Sequence, residues 1–215
     1  MPRTHLVSAA QTLHEHLTAL EVEKAHSVIE VASVSRTLSD LFVELLEPAI
    51  YRAGVEVSEG LGPPEVEVAT VELVRSAVKR LGQRGPWRAP RGRLAVAATV
   101  PGERHDLGLE MVSTLLVRDG WRVRRLGAGL TEAEIVDSLG ERPDLVLLSV
   151  TLAENVEGTF RLVDRIHAGV PGAKVMVGGL APRLVPERAA RVGADLFAEE
   201  ARAALATVRA TFDRR

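Results

Sequence analysis

Cysteine is absent from the 215 residues. Its absence excludes disulfides, thiolate metal sites, iron–sulfur clusters and cysteine nucleophiles. Aromatic residues make up only 3% of the chain, as four Phe, two Trp and one Tyr. Few flat partners are therefore on offer to a stacked ligand, and the core must be built of Leu, Val and Ala. Neither sign of charge dominates, because 27 Lys and Arg face 29 Asp and Glu for a net charge of −2. That balance argues against a dedicated nucleic-acid binder. No apolar run approaches the roughly 18 residues that a membrane span needs, and Met1-Pro-Arg-Thr-His5 is not a signal peptide. A cytoplasmic protein is the expectation. What remains is 46% apolar residues in a chain long enough to bury a core without staples.

Two halves differ in texture. In residues 1–84, Leu6, Ala9, Ala10, Leu13, Leu17 and Leu20 recur at three- and four-residue steps and share a helical face. A second helical segment runs from Val22 to Ala32. A third, from Thr37 to Gly54, carries Leu38, Leu41, Phe42, Leu45, Leu46, Ala49 and Ile50, with Pro48 as a kink or break. A fourth starts at the Pro63-Pro64 pair and continues through Val68, Val71, Val74, Val78 and Leu81. Four short amphipathic helices predict a four-helix bundle.

Gly82 to Arg93 is rich in Gly, Pro and Arg and has no apolar period, so residues 85–93 read as a linker, most of its arginines solvated. Residues 94–215 then alternate strand and helix. Strands are expected at Leu94–Val100, Trp121–Leu126, Asp144–Ser149, Lys174–Gly178 and Asp195–Phe197. The helices between them start near Asp106, Thr131, Asn155, Pro186 and Glu199, and Thr131-Glu-Ala-Glu134 has a capping-box pattern. The fold class is α/β: a flavodoxin-like, five-stranded parallel sheet with helices on both faces follows the bundle. Ligands are expected beyond the carboxyl ends of its strands.

Those carboxyl ends hold the unusual residues. Pro101-Gly-Glu103-Arg-His105-Asp106-Leu107-Gly108 follows the first strand, Ser149-Val-Thr151 closes the third, and Gly178-Gly179 closes the fourth. Singly, a loop histidine or a double glycine has a bland explanation; the three together, on one sheet edge, do not. The other histidines look structural. His14 and His16 cannot share a helical face, and His5, His26 and His167 lack ligand-like neighbours.

Glu103, His105, Gly108, Ser149, Thr151, Gly178 and Gly179 resemble, residue by residue, the fingerprint of the cobalamin-binding family. The resemblance covers the second half and extends more weakly to the helices before it. It implies a bound cobalamin, with His105 as the metal ligand below cobalt and the benzimidazole tail in a slot beside the sheet. Glu103, where the family more often has Asp, would accept from the other ring nitrogen. Asp106, Leu107 and the glycines would border the tail, and Ser149 and Thr151 could bond it.

Within that family the sequence is similar to two groups built from a helical bundle and a cobalamin domain. Methyltransferase corrinoid carriers typically read Gly-Asp-x-His-Asp-Ile-Gly-Lys-Asn. Here Glu103 replaces the first Asp, and Leu109-Glu110 replaces Lys-Asn. Those departures, with Gly120-Trp-Arg-Val-Arg-Arg-Leu-Gly127, look more like the light-responsive adenosylcobalamin regulators. That resemblance implies a non-enzymatic photoreceptor whose bundle caps the upper face of the corrin. The regulators' Trp-x9-Glu-His motif falls on Val57, Glu67 and Val68, so only the acid is kept. The space left by the missing rings could admit a second chromophore such as biliverdin, held without a thioether because cysteine is lacking. No recognition-helix pattern precedes the bundle, so direct nucleic-acid binding is not expected. The leading expectation is a stand-alone sensor signalling through a partner protein or as a homo-oligomer. The alternative is the corrinoid carrier subunit of a methyltransferase system.

Overall fold

The computed structural model describes residues 3–140 and 142–213, with side chains described from Ala9 onward. The ends of the sequence-based domains at residues 1–2 and 214–215, and the side chains of His5 and Leu6, lie outside the described residues. The chain divides at Gly85–Pro86 into two compact units.

The first unit is helical. α1 (Arg3–Thr18) and α2 (Val22–Ser33) form a hairpin. Its turn is a Schellman motif: Glu21 N–H donates to His16 C=O and Leu20 N–H to Leu17 C=O. α3 (Leu38–Leu41) runs through a π-helical turn, Phe42–Leu46, into α4 (Glu47–Ser58). The π turn is where Pro48 makes itself felt. Proline has no N–H for the carbonyl one turn back, and the ladder slips so that Glu47 N–H donates five residues back, to Phe42. The helix is thus reregistered, not broken, and it continues past Gly54. α5 (Pro64–Gly82) completes the unit. Leu13, Leu17, Ile29, Phe42, Leu45, Val74 and Val78 are buried from four of these segments. Glu30 on α2 receives Arg80 of α5 and Arg84 just beyond its end at 2.8 and 2.7 Å.

The second unit is a five-stranded parallel sheet in the order β2-β1-β3-β4-β5. Its strands are β1 (Leu94–Thr99), β2 (Arg122–Gly127), β3 (Leu145–Ser149), β4 (Lys174–Gly178) and β5 (Leu196–Ala198). Helices α6 (Leu107–Arg118), α7 (Glu132–Asp137), α8 (Val156–Gly169), α9 (Ala181–Leu184), α10 (Pro186–Ala189) and α11 (Ala201–Phe212) fill the connections. Period-two alternation sorts the central strands onto two faces. Val96, Ala98, Val146, Leu148, Val175 and Val177 meet Leu162, Val163 and Ile166 of α8 on one face. Ala95, Ala97, Leu145, Leu147 and Met176 meet Leu109 and Leu116 of α6 and Val208 of α11 on the other. β1 and β3 are neighbours whose following helices leave to opposite faces, so the topological switch point lies between them. The capping box at Thr131 and Glu134 is formed.

The segment with the composition of a tether is fastened to this unit. Arg88 N–H donates to Arg118 C=O at 2.9 Å, Arg91 N–H to Gly120 C=O at 2.8 Å, and Arg122 N–H to Arg93 C=O at 3.0 Å. Residues 86–93 are therefore hydrogen-bonded to the second unit and not a solvated tether along their whole length. The arginines expected to be solvated are largely engaged, because Asp119 and Asp144 lie along the segment's path. Among the described residues, no helix is long and apolar enough to cross a membrane.

Candidate functional site

Glu103 organises the switch point. It leaves β1 on a turn whose Gly102 has φ +82°, a conformation that suits glycine, and its side chain is fully buried. Thr99 donates its hydroxyl to the Glu103 C=O at 2.8 Å. One carboxylate oxygen accepts from the backbone N–H groups of Arg104 and His105, both at 3.0 Å, and meets His105 Nδ1. The other accepts from the N–H groups of Thr151 and Leu152 at 2.8 and 3.0 Å, and from Asn155 Nδ2 at 3.4 Å. One side chain thus ties the loop after β1 to the loop after β3. Burial opposes its charge, but the donors from Leu152, His105 and Thr151 outweigh burial and hold the carboxyl down to about 2.

That ionised carboxylate sets the histidine. A carboxylate can only accept, so Nδ1 carries a proton, and in the neutral ring Nε2 then presents its lone pair. The His105 side chain is 55% exposed, and Nε2 has no partner among the described residues. Such an imidazole is oriented from behind and open in front, as a metal-ligating histidine is. No group of three His, Asp or Glu among the described residues could cage an ion. His14, His16, His26 and His167 each face a carboxylate, Glu56, Glu21, Glu30 and Asp195 respectively, in structural pairs.

Around this pair, Ser149 at the end of β3 is only 6% exposed. Neither its hydroxyl nor that of Thr151 has a partner among the described residues. Asp106 precedes α6, and Leu107 is buried in its first turn. The glycines divide by cause. A Cβ at Gly178 would lie 3.0 Å from Ala198 C=O, and one at Gly179 (φ +106°) only 2.3 Å from Val150 C=O. The double glycine is thus required by the chain's own backbone. A Cβ at Gly108 would meet no heavy atom within 4 Å, so nothing in the chain requires a glycine there, although glycine weakens a helix. Gly179→Ala is accordingly expected to destabilise the second unit by about 3 kcal/mol, through backbone strain and a carbonyl clash, readable by urea denaturation.

Val57, Glu67 and Val68 all belong to the first unit. Val57 is half-buried in α4, and Glu67 stands at the start of α5 with its carboxylate towards Gly54. Val68 is largely exposed. Sequence reading missed Gly102, Asn155 and the Leu152 amide. Only Pro101-Gly102, a turn dipeptide, carried a local signal.

Residues 93–209 match the B12 binding domain family. Dimethylamine corrinoid protein 2 of Methanosarcina mazei is 30% identical over 191 residues, covering 86% of this chain and 85% of that protein. Among solved structures, the monomethylamine corrinoid protein of Methanosarcina barkeri superposes with a TM-score of 0.75 at 18% identity, covering 95% of this chain and 99% of that one. A chain of the methanol:cobalamin methyltransferase complex of the same organism has a TM-score of 0.51 at 14% identity, covering 97% and 81%. These two show the shared fold.

The named relatives are corrinoid proteins and not photoreceptors, which lends no support to a bilin and favours the carrier alternative over the regulator-like expectation. The residues that suggested it are accounted for by packing. Leu109 is buried against the sheet, and Glu110 pairs with Arg125 of β2 at 2.8 Å. Gly120 (φ +91°) lies beneath the Ala89 carbonyl, and Trp121 meets Phe212 edge-on with ring centroids 5.0 Å apart.

Proposed function

Because the chain belongs to the B12 binding domain family, we propose that it is a corrinoid carrier that passes methyl groups for a partner methyltransferase. One observation carries the reading: an oriented, outward-facing His105 Nε2 at the switch point, in a chain alike along most of its length to methylamine corrinoid proteins. The bound corrinoid would supply a cobalt centre able to take up and release a methyl group. His105 would hold the cobalt from below, and Glu103 would fix the tautomer and keep the ring turned outward. The Ser149 and Thr151 hydroxyls would receive polar atoms of the cofactor's tail, and Gly108 would let it pass the first turn of α6. The partner reading draws support from the likeness to a chain of a methyltransferase complex.

The test is methyl transfer. Chain loaded with methylcobalamin should lose its methyl group at least about tenfold faster with a methyltransferase encoded beside its gene than without one. No acceleration with any such enzyme, together with a light-dependent change in oligomeric state of the adenosylcobalamin-loaded chain, would overturn the reading in favour of a sensor. Gly108→Ala separates cofactor from fold. The cofactor-free protein should melt no lower than the parent, since alanine favours the helix by up to about 1 kcal/mol. Its cobalamin affinity should fall by about tenfold or more, as read by absorption titration.

A further inference from the structure

Residues 86–93 and Asp119 form an arrangement that the corrinoid site does not use. Asp119 ends α6 with its side chain 1% exposed, and three guanidinium groups converge on it. Arg209 of α11 donates Nε and a terminal nitrogen at 2.9 and 2.6 Å. Arg91 places a terminal nitrogen 2.8 Å from the second oxygen and donates Nε to the Asp119 C=O at 2.6 Å. Arg88 reaches the carboxylate at 3.3 Å. Arg91 also pairs with Asp213 at the end of α11.

The backbone follows the side chains. Besides the bonds from Arg88 and Arg91, Arg118 donates to Pro86 C=O at 3.3 Å. A Cβ at Gly120 would lie 2.2 Å from Ala89 C=O, so the segment passes where only glycine gives it room. Further along, Arg93 lies over the Phe212 ring at 4.9 Å and pairs with Asp144 at 3.0 Å.

We propose that Asp119 is the catch of a clasp that shortens the connection between the two units. With the clasp closed, the connection outside the second unit runs only from the end of α5, past Arg84 and its Glu30 pair, to Pro86. With it open, residues 86–91 join that connection and add about 20 Å of reach, at 3.3–3.6 Å per extended residue. Burial gives the catch its strength: a carboxylate out of water holds its guanidinium partners more tightly than an exposed one would. The inference rests on unit-two geometry alone and stands whether or not the chain carries a methyl group.

Limited trypsin digestion of the full chain, read by mass spectrometry, tests it, because Arg84, Arg88 and Arg91 are all potential cleavage sites along the connection. The parent should be cut after Arg84 at least about tenfold faster than after Arg88 or Arg91, since cleavage in a fastened segment must wait for local opening. In Asp119→Asn the bonds after Arg88 and Arg91 should become cleavable at a rate near that after Arg84. Acrylamide should then quench the buried Trp121 more strongly than in the parent. Arg88→Gln, which loosens the segment while leaving the Arg209 pair intact, should speed cleavage after Arg91 in the same direction should Asp119→Asn not fold. Parent cleavage after Arg88 or Arg91 as fast as after Arg84, or unchanged protection in the folded variants, would overturn the proposal.

Discussion

Glu103→Ala should lower the stability of the second unit by about 3–5 kcal/mol, the cost typical of removing one side of a buried charged network. The residue is fully buried, and its carboxylate serves four backbone N–H groups in two loops. Alanine would leave those donors without an acceptor where water enters poorly, and each unsatisfied group is costly. Glu103→Gln keeps the shape but loses the charge and an acceptor site, so it should fall between parent and alanine. Glu103→Asp should also lose stability, because the shorter side chain cannot reach both loops without moving one. Urea denaturation followed by circular dichroism reads all three, and a Glu103→Ala protein as stable as the parent would contradict the network's role.

The same carboxylate gives the acid limb of stability a predictable sign. Its folded value of about 2 lies below the ordinary 4.5. A depressed carboxyl contributes fully above its unfolded value, and the contribution is lost as pH falls towards the folded value. About 3 kcal/mol should therefore disappear between pH 5 and pH 2. Asp195 shares that limb. Burial raises its pKa, but Lys174, the Val175 N–H and His167 hold it down to about 2. The Glu103 share is read as the difference between parent and Glu103→Gln, which should narrow as the solution is acidified.

His105→Ala should leave the fold nearly as stable as the parent and abolish histidine ligation of a bound corrinoid. More than half of the ring is exposed, and its hydrogen-bonded partner Glu103 keeps its backbone donors when the ring is gone. The effect should thus fall on the metal. The absorption spectrum of the cobalamin complex should change to that of cobalt without a protein nitrogen below it. Added imidazole should restore much of the parent spectrum, since it supplies the missing nitrogen without a tether. An unchanged spectrum would show that another group ligates cobalt. Loss of all binding in a folded variant would show that the hydroxyls and Gly108 contribute little affinity by themselves. Together the two variants separate a residue that holds the loops from one whose effect should fall on a bound corrinoid.

Much of this was legible because it is local. The run Leu94-Ala-Val-Ala-Ala-Thr99 suits a strand buried on both sides, and Thr131 with Glu134 specified a helix start. The Glu103–His105 pair and Ser149 were legible because strand ends in a doubly wound sheet fall on one edge. Leu109-Glu110, which departs from the carrier motif, is a short sequence difference that packing explains. In the fold, those residues serve the core and Arg125.

By itself, then, the sequence determined the order of elements, the two faces of the sheet and the edge on which Glu103, His105 and Ser149 gather. Periodicity and turn residues act within a few positions, and they suffice for that. Only the tertiary structure decided that Gly178 and Gly179 make room for Ala198 and Val150 while Gly108 makes room for no part of the chain. It also decided that an arginine-rich tether is a strap closed on a buried aspartate. The scarce aromatics follow the same division. Composition exposes their rarity, but Trp121 packs on Phe212 beneath Arg93 because segments far apart in sequence meet there, which no local pattern encodes.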